Sequence, residues 1–135
     1  MEDLALKIRL AVLWLFMAVA TSALMVLCFM IPGFGEEIII AGEFEGMQIS
    51  EGFLLILALF WWIPLTLALL SLTLKDSTYR WASIIAGIFF AGFSIISLGG
   101  HLIQGWLALS LMEGSKIVVA ALIVWYAWKW PKQGA

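Results

Sequence analysis

Three stretches free of charged residues, Leu10–Ile31, Phe53–Leu74 and Trp81–Gly100, are each long enough to cross a lipid bilayer. A helix rises about 1.5 Å per residue and the hydrocarbon layer is about 30 Å thick, so roughly 20 apolar residues span it. A shorter fourth run, Ile117–Trp128, closes the pattern. Alone it covers only about 18 Å, whereas a helix from Glu113 to Trp130 covers about 27 Å and is adequate. The expected spans are residues 8–31, 53–74, 81–100 and 113–130.

Composition agrees. The chain is 64% hydrophobic and 12% charged, with mean hydropathy +1.11, outside the range of a soluble domain. Four spans fill the 135 residues as a single transmembrane domain over 1–135, with no room for a soluble one. Lys7 and Arg9 precede the first run, as they would in a signal peptide. That run exceeds a typical signal core and no clean small-x-small cleavage site follows, so a retained first helix is expected. Cys28, the one cysteine, excludes an internal disulfide and a CxxC pair. It reads as a small apolar residue against lipid or a neighbouring helix.

The basic residues orient the chain. Lys7 and Arg9 precede span 1, Lys75 and Arg80 bracket the loop between spans 2 and 3, and Lys129 and Lys132 follow span 4. With four spans all of these lie on one side, leaving Lys116 on the other. Cytoplasmic loops carry the Lys/Arg excess, so both termini are expected in the cytoplasm, with the chain in the cell membrane. Trp81, Trp125, Trp128 and Trp130 fall near that boundary, where amphipathic rings favour the headgroup level. Trp14, Trp61 and Trp62 lie deeper.

The opposite side is acidic. The 21-residue loop Pro32–Gly52 carries Glu36, Glu37, Glu43, Glu45 and Glu51 and no Lys or Arg. It is either a cation-attracting mouth or simply a translocated loop that avoids positive charge. Its segments Glu37–Ala41 and Phe44–Ile49, around Gly42-Glu43, predict a short β-hairpin that must pack over the helix ends. Glu113 and Lys116, spaced i,i+3, are expected on the first turn of span 4 at this outer interface. Between them and span 3, Gly99-Gly100 is expected to loosen or end the helix. Gly99–Met112 then reads as an interfacial or partly re-entrant segment, which must stay on protein or at the interface because lipid does not tolerate exposed irregular backbone.

Span 3 carries the most structured signal. Ser83, Gly87 and Ala91, at i, i+4 and i+8, form a small-residue seam that lets helices approach closely. Ser94, Ser97, His101 and Gln104 continue that face toward the outside. His101, the only histidine, is a candidate proton carrier, haem or metal ligand, or hydrogen-bond partner of a quinone-like ligand, or else an interfacial histidine bonded to backbone or headgroups. Thr21 and Ser22 on span 1 lie at middle depth and are candidates to face the stripe. Pro64 removes a backbone hydrogen bond in span 2 and is expected to kink it.

Several chemistries are missing. No HExxH, metal-spaced cluster, nucleophile elbow or phosphate-cradling glycine loop occurs, so no catalytic residue, metal or cofactor is assigned. The first three spans hold no Asp, Glu, Lys or Arg in their cores, which argues against an ion-coupled pump using buried acidic relays. The polar turn Asp76-Ser77-Thr78-Tyr79 offers no nucleic-acid surface.

The segments Leu70-Ser71-Leu72-Thr73-Leu74-Lys75 and Arg80-Trp81-Ala82-Ser83-Ile84-Ile85-Ala86-Gly87 resemble a family of small prokaryotic four-helix membrane proteins of unknown function. Gly46-Met47-Gln48-Ile49-Ser50 resembles its outer loop, and Val124-Trp125-Tyr126-Ala127-Trp128-Lys129-Trp130 its closing signature. The resemblance runs over most of the chain and implies a four-span bundle; it supplies no activity, substrate or catalytic residue.

The expected fold is all-α, an integral membrane antiparallel four-helix bundle with an acidic outer cap. Two kinds of function stay open. One is a non-enzymatic module embedded in the lipid bilayer, as a homo-oligomer or as an accessory subunit of a larger membrane complex. The other is a small carrier or channel, or a haem or quinone binder, using an outer pocket near His101. An enzyme is disfavoured by the lack of paired acid–base groups.

Overall fold

The computed structural model describes residues 2–130. Four long helices, α1 (Glu2–Met30), α2 (Glu51–Leu69), α3 (Asp76–Gln104) and α4 (Leu107–Trp128), make up an all-α fold with one two-stranded exception. A 3-10 turn, Leu70–Leu72, extends α2. Each of the four is long and apolar enough to cross a membrane. Mid-helix side chains such as Leu55, Ile85 and Ile96 remain exposed. Apolar surface on every side is what a helix presents when its outer faces meet lipid.

Polar contacts fix the directions. Lys7 near the start of α1 pairs with Asp76 at the start of α3 at 2.8 Å. Arg80 donates from Nε to Ala127 O at 2.9 Å and from a terminal nitrogen to Trp128 O at 3.3 Å, so α3 starts where α4 ends. The helices therefore alternate in direction, and Lys7, Arg9, Lys75, Arg80 and Lys129 gather at one basic end. Lys132 lies outside the described residues.

α1 packs against both α2 and α4, and α4 against α3. Trp14 and Met17 of α1, Tyr79 and Phe90 of α3 and Ala120 and Ile123 of α4 form the main core. The indole of Trp14 meets Phe90 edge-on, with ring centres 6.0 Å apart, and donates to Ser83 Oγ at 3.3 Å. Gly87 lets α3 and α4 close up: a Cβ there would stand 2.8 Å from Val124 Cγ2. Ser83 and Gly87 thus face inward as the seam reading expects, and Ala91 packs half-buried against the same core. Pro64 is buried within α2, which continues through it.

The acidic end departs from expectation in three places. Glu37–Ala41 is a π-helical turn, not a strand, and the hairpin is β1 (Glu43–Phe44) with β2 (Met47–Gln48), Phe44 opposite Met47. The tight turn needs positive φ at both central residues, which Glu45 (50°) and Gly46 (79°) provide; Gly42 (66°) instead stops the π turn. Gly99-Gly100 does not end the helix, since α3 runs on to Gln104 and stops at Gly105, left-handed at φ 76°. Two glycines weaken a helix by only about 1 kcal/mol each, while opening the backbone in lipid costs more. Gly99–Met112 is consequently two helix ends joined at Gly105-Trp106.

A second cluster seals this end. Phe34 packs edge-on to Phe44 at 5.3 Å and to Trp106 at 5.6 Å, above Leu24, Cys28 and Leu109. The hairpin does lie over the helix ends.

Candidate functional site: a buried charge cluster beneath an open cleft

Because α4 begins at Leu107, Glu113 and Lys116 do not sit on its first turn at the interface. They lie about 9 and 14 Å along its axis, inside the packed helices. Each is 3% exposed, and His101 of α3, facing them, is 9% exposed. Lys116 Nζ is 3.4 Å from Glu113 Oε1, and His101 Nδ1 is 3.9 Å from Glu113 Oε2. Opposite charges one helical turn apart attract weakly in water. Removed from it, each would cost several kcal/mol alone, and pairing offsets that cost.

The cluster is not saturated. Glu113 Oε1, His101 Nδ1 and Ser94 Oγ are buried without a hydrogen-bond partner. Gly87 faces Ala120–Val124. Continuing that antiparallel register puts Ser94 level with Lys116 and Ser97 level with Glu113. A polar column therefore runs through the acidic half of the α3–α4 interface.

Above it, a cleft of ≈ 940 Å³ opens between the end of α3 and the segment that follows α1. Ser97, His101 and Gln104 give it a polar floor, Phe34, Phe93 and Trp106 aromatic walls, and Glu37 and Glu45 an acidic rim. Glu37 Oε1 accepts the Gly46 backbone N–H at 2.9 Å, which pins the hairpin to the π turn. The Trp106 ring lies 6.0 Å from that of His101. With Nδ1 buried against Glu113, the Nε2 edge of His101 is left to the cleft.

Ser97, His101 and Gln104 thus come together as the sequence suggests. Ser94 is on their helix face but lies behind the cleft, between α3 and α4. Thr21 and Ser22 do not line it. Thr21 donates to Met17 O at 2.8 Å, and Ser22 accepts from Trp61 Nε1 at 2.6 Å while donating to Ala18 O. Glu113 and Lys116 are the residues that the sequence reading placed wrongly. The available signal was Gly105 as a helix stop ahead of the apolar Leu107–Met112. Among the described residues no group of three or more His, Cys, Asp or Glu is placed to hold a metal ion.

The chain belongs to a family of unknown function, DUF6326, which matches residues 3–135. No curated protein and no solved structure matches it.

Proposed function

We propose that the chain is a non-enzymatic multi-pass protein of the cytoplasmic membrane, both termini in the cytoplasm, which binds a lipophilic ligand of the quinone class in the cleft at His101. The observation that carries this is the cleft's division into a polar floor and an apolar wall. Phe93 and Ile96 belong to that wall and are also exposed on the lipid-facing side of α3. A ligand can therefore arrive sideways from the bilayer, leaving its tail in lipid. Its ring would lie among Phe34, Phe93 and Trp106. A quinol hydroxyl can donate to His101 Nε2, and a quinone carbonyl can accept from Ser97 or Gln104. The Glu113–Lys116 pair lies behind the imidazole.

The oligomerising or accessory reading draws less support, because Ser83 and Gly87, the residues that would serve a contact between chains, are spent on packing within this one. Orientation rests on the basic end, whose cations belong on the cytoplasmic side. Haem is a second reading, favoured by one feature: a carboxylate-backed imidazole is a common setting for a metal-binding histidine.

A titration of the purified protein with a short-chain benzoquinone tests the proposal through indole emission. Saturable quenching that His101→Ala abolishes and Trp106→Phe reduces is expected. Quenching that rises linearly, alike in all three proteins, is mere partitioning into detergent and overturns it. A Soret band that disappears in His101→Ala would replace quinone by haem.

A further inference from the structure

On the lipid-facing side of α3 and α4, away from the cleft, a second groove of ≈ 540 Å³ runs toward the basic end. Ile88, Gly92 and Ile95 form one wall, and Ala121, Trp125 and Trp128 the other. Its lining is apolar, but its lower rim is not. Lys129 Nζ stands 4.1 Å above the Trp125 ring, and the Arg80 guanidinium lies 5.8 Å from the Trp128 ring and 5.1 Å from Trp81. The two rings that wall the groove therefore also hold the two cations at its mouth.

Neither cation is neutralised by a carboxylate among the described residues. Asp76, the acid placed at this end among the described side chains, is engaged by Lys7. Arg80 spends two nitrogens on the last carbonyls of α4, whose partial negative charge balances it only in part; Lys129 is exposed and has no such partner. Positive charge at headgroup level above an apolar groove is complementary to one kind of molecule, a lipid with an anionic head.

We infer that the α3–α4 groove is a binding site for one anionic phospholipid, with its phosphate at Arg80 and Lys129 and an acyl chain along Gly92. The glycine has a part in this: a Cβ at 92 would meet no atom within 4 Å, so the missing side chain deepens the groove and serves no helix contact. The site is independent of the cleft at His101 and of any ligand there.

Native mass spectrometry of the detergent-purified chain, titrated with phosphatidylglycerol and with phosphatidylcholine of the same acyl chains, tests this. One phosphatidylglycerol should bind about tenfold more tightly than phosphatidylcholine, given roughly fivefold from each fully available basic residue. Lys129→Gln should remove about fivefold of that preference without weakening phosphatidylcholine. Gly92→Leu should weaken both lipids by filling the groove, and its open surroundings leave the fold intact, which an unchanged melting temperature verifies. Equal binding of the two lipids, a preference that stays near tenfold in Lys129→Gln, or an affinity that survives Gly92→Leu would each overturn the assignment.

Discussion

His101 on α3 and Glu113 on α4 face each other across a helix interface, Nδ1 3.9 Å from Oε2, with Lys116 3.4 Å from the other carboxylate oxygen. The separation of His101 from Glu113 exceeds a hydrogen bond, so the contact is electrostatic and its strength depends on the exclusion of water. Glu113 is the shared member, and the cluster's integrity rests on it.

Glu113→Ala is therefore the most damaging change expected in this region. It leaves the Lys116 ammonium buried without a counter-charge, at a cost of about 3–5 kcal/mol. Glu113→Leu combined with Lys116→Leu should cost much less, because the pair leaves together. Thermal unfolding in mild detergent measures both. A double variant as unstable as Glu113→Ala would show that the two charges do not compensate each other.

The closest approach of α3 to α4 gives a second prediction. Gly87→Ala would set a methyl 2.8 Å from Val124 Cγ2, a neighbour that branches directly off its own helix. Overpacking of this kind costs about 1–3 kcal/mol. Val124→Ala in the same chain opens the space and should restore most of the loss. If Gly87→Ala is neutral alone, the close approach is not what holds this pair of helices together.

Ser83 poses the complementary case of a lost acceptor. Ser83→Ala leaves the buried Trp14 indole N–H, now 3.3 Å from Ser83 Oγ, without a partner. The expected loss is about 1–3 kcal/mol. Adding Trp14→Phe removes the orphaned donor as well, so by a thermodynamic cycle the double variant should lose less than the sum of the singles. Strict additivity would show that the bond contributes nothing to stability.

The four long apolar helices and the gathering of basic residues were legible because both depend on composition along the chain. The seam at Ser83 and Gly87 was legible for a related reason, since small residues at helical spacing have few uses other than close packing. Where the acidic end was misread, each error came from one glycine set against another. Gly46, not Gly42, turns the hairpin, and Gly105, not Gly99 or Gly100, stops α3. Moving that stop along the chain moved the start of α4 to Leu107, and with it Glu113 and Lys116 from interface to interior. Burial of a charge is a tertiary property. Nothing local to Glu113 announces that His101 will stand opposite.

The proposed orientation is open to a direct measurement because the one native thiol is shielded. Cys28 is 2% exposed beneath the Phe34 cluster, so the unmodified chain should stay unlabelled by a membrane-impermeant maleimide. Gln48 on β2 and Ser77 at the start of α3 are both exposed, at the acidic and basic ends respectively. Neither lines the cleft at His101, so a cysteine at either leaves that site alone. With the basic end in the cytoplasm, intact cells should label Gln48→Cys and spare Ser77→Cys, and permeabilised cells should label both. The reverse pattern would place the His101 cleft on the cytoplasmic side and overturn the outward-facing site. Labelling of the unmodified chain would mean that the Phe34 cluster opens, which a Phe34→Ala variant should then exaggerate.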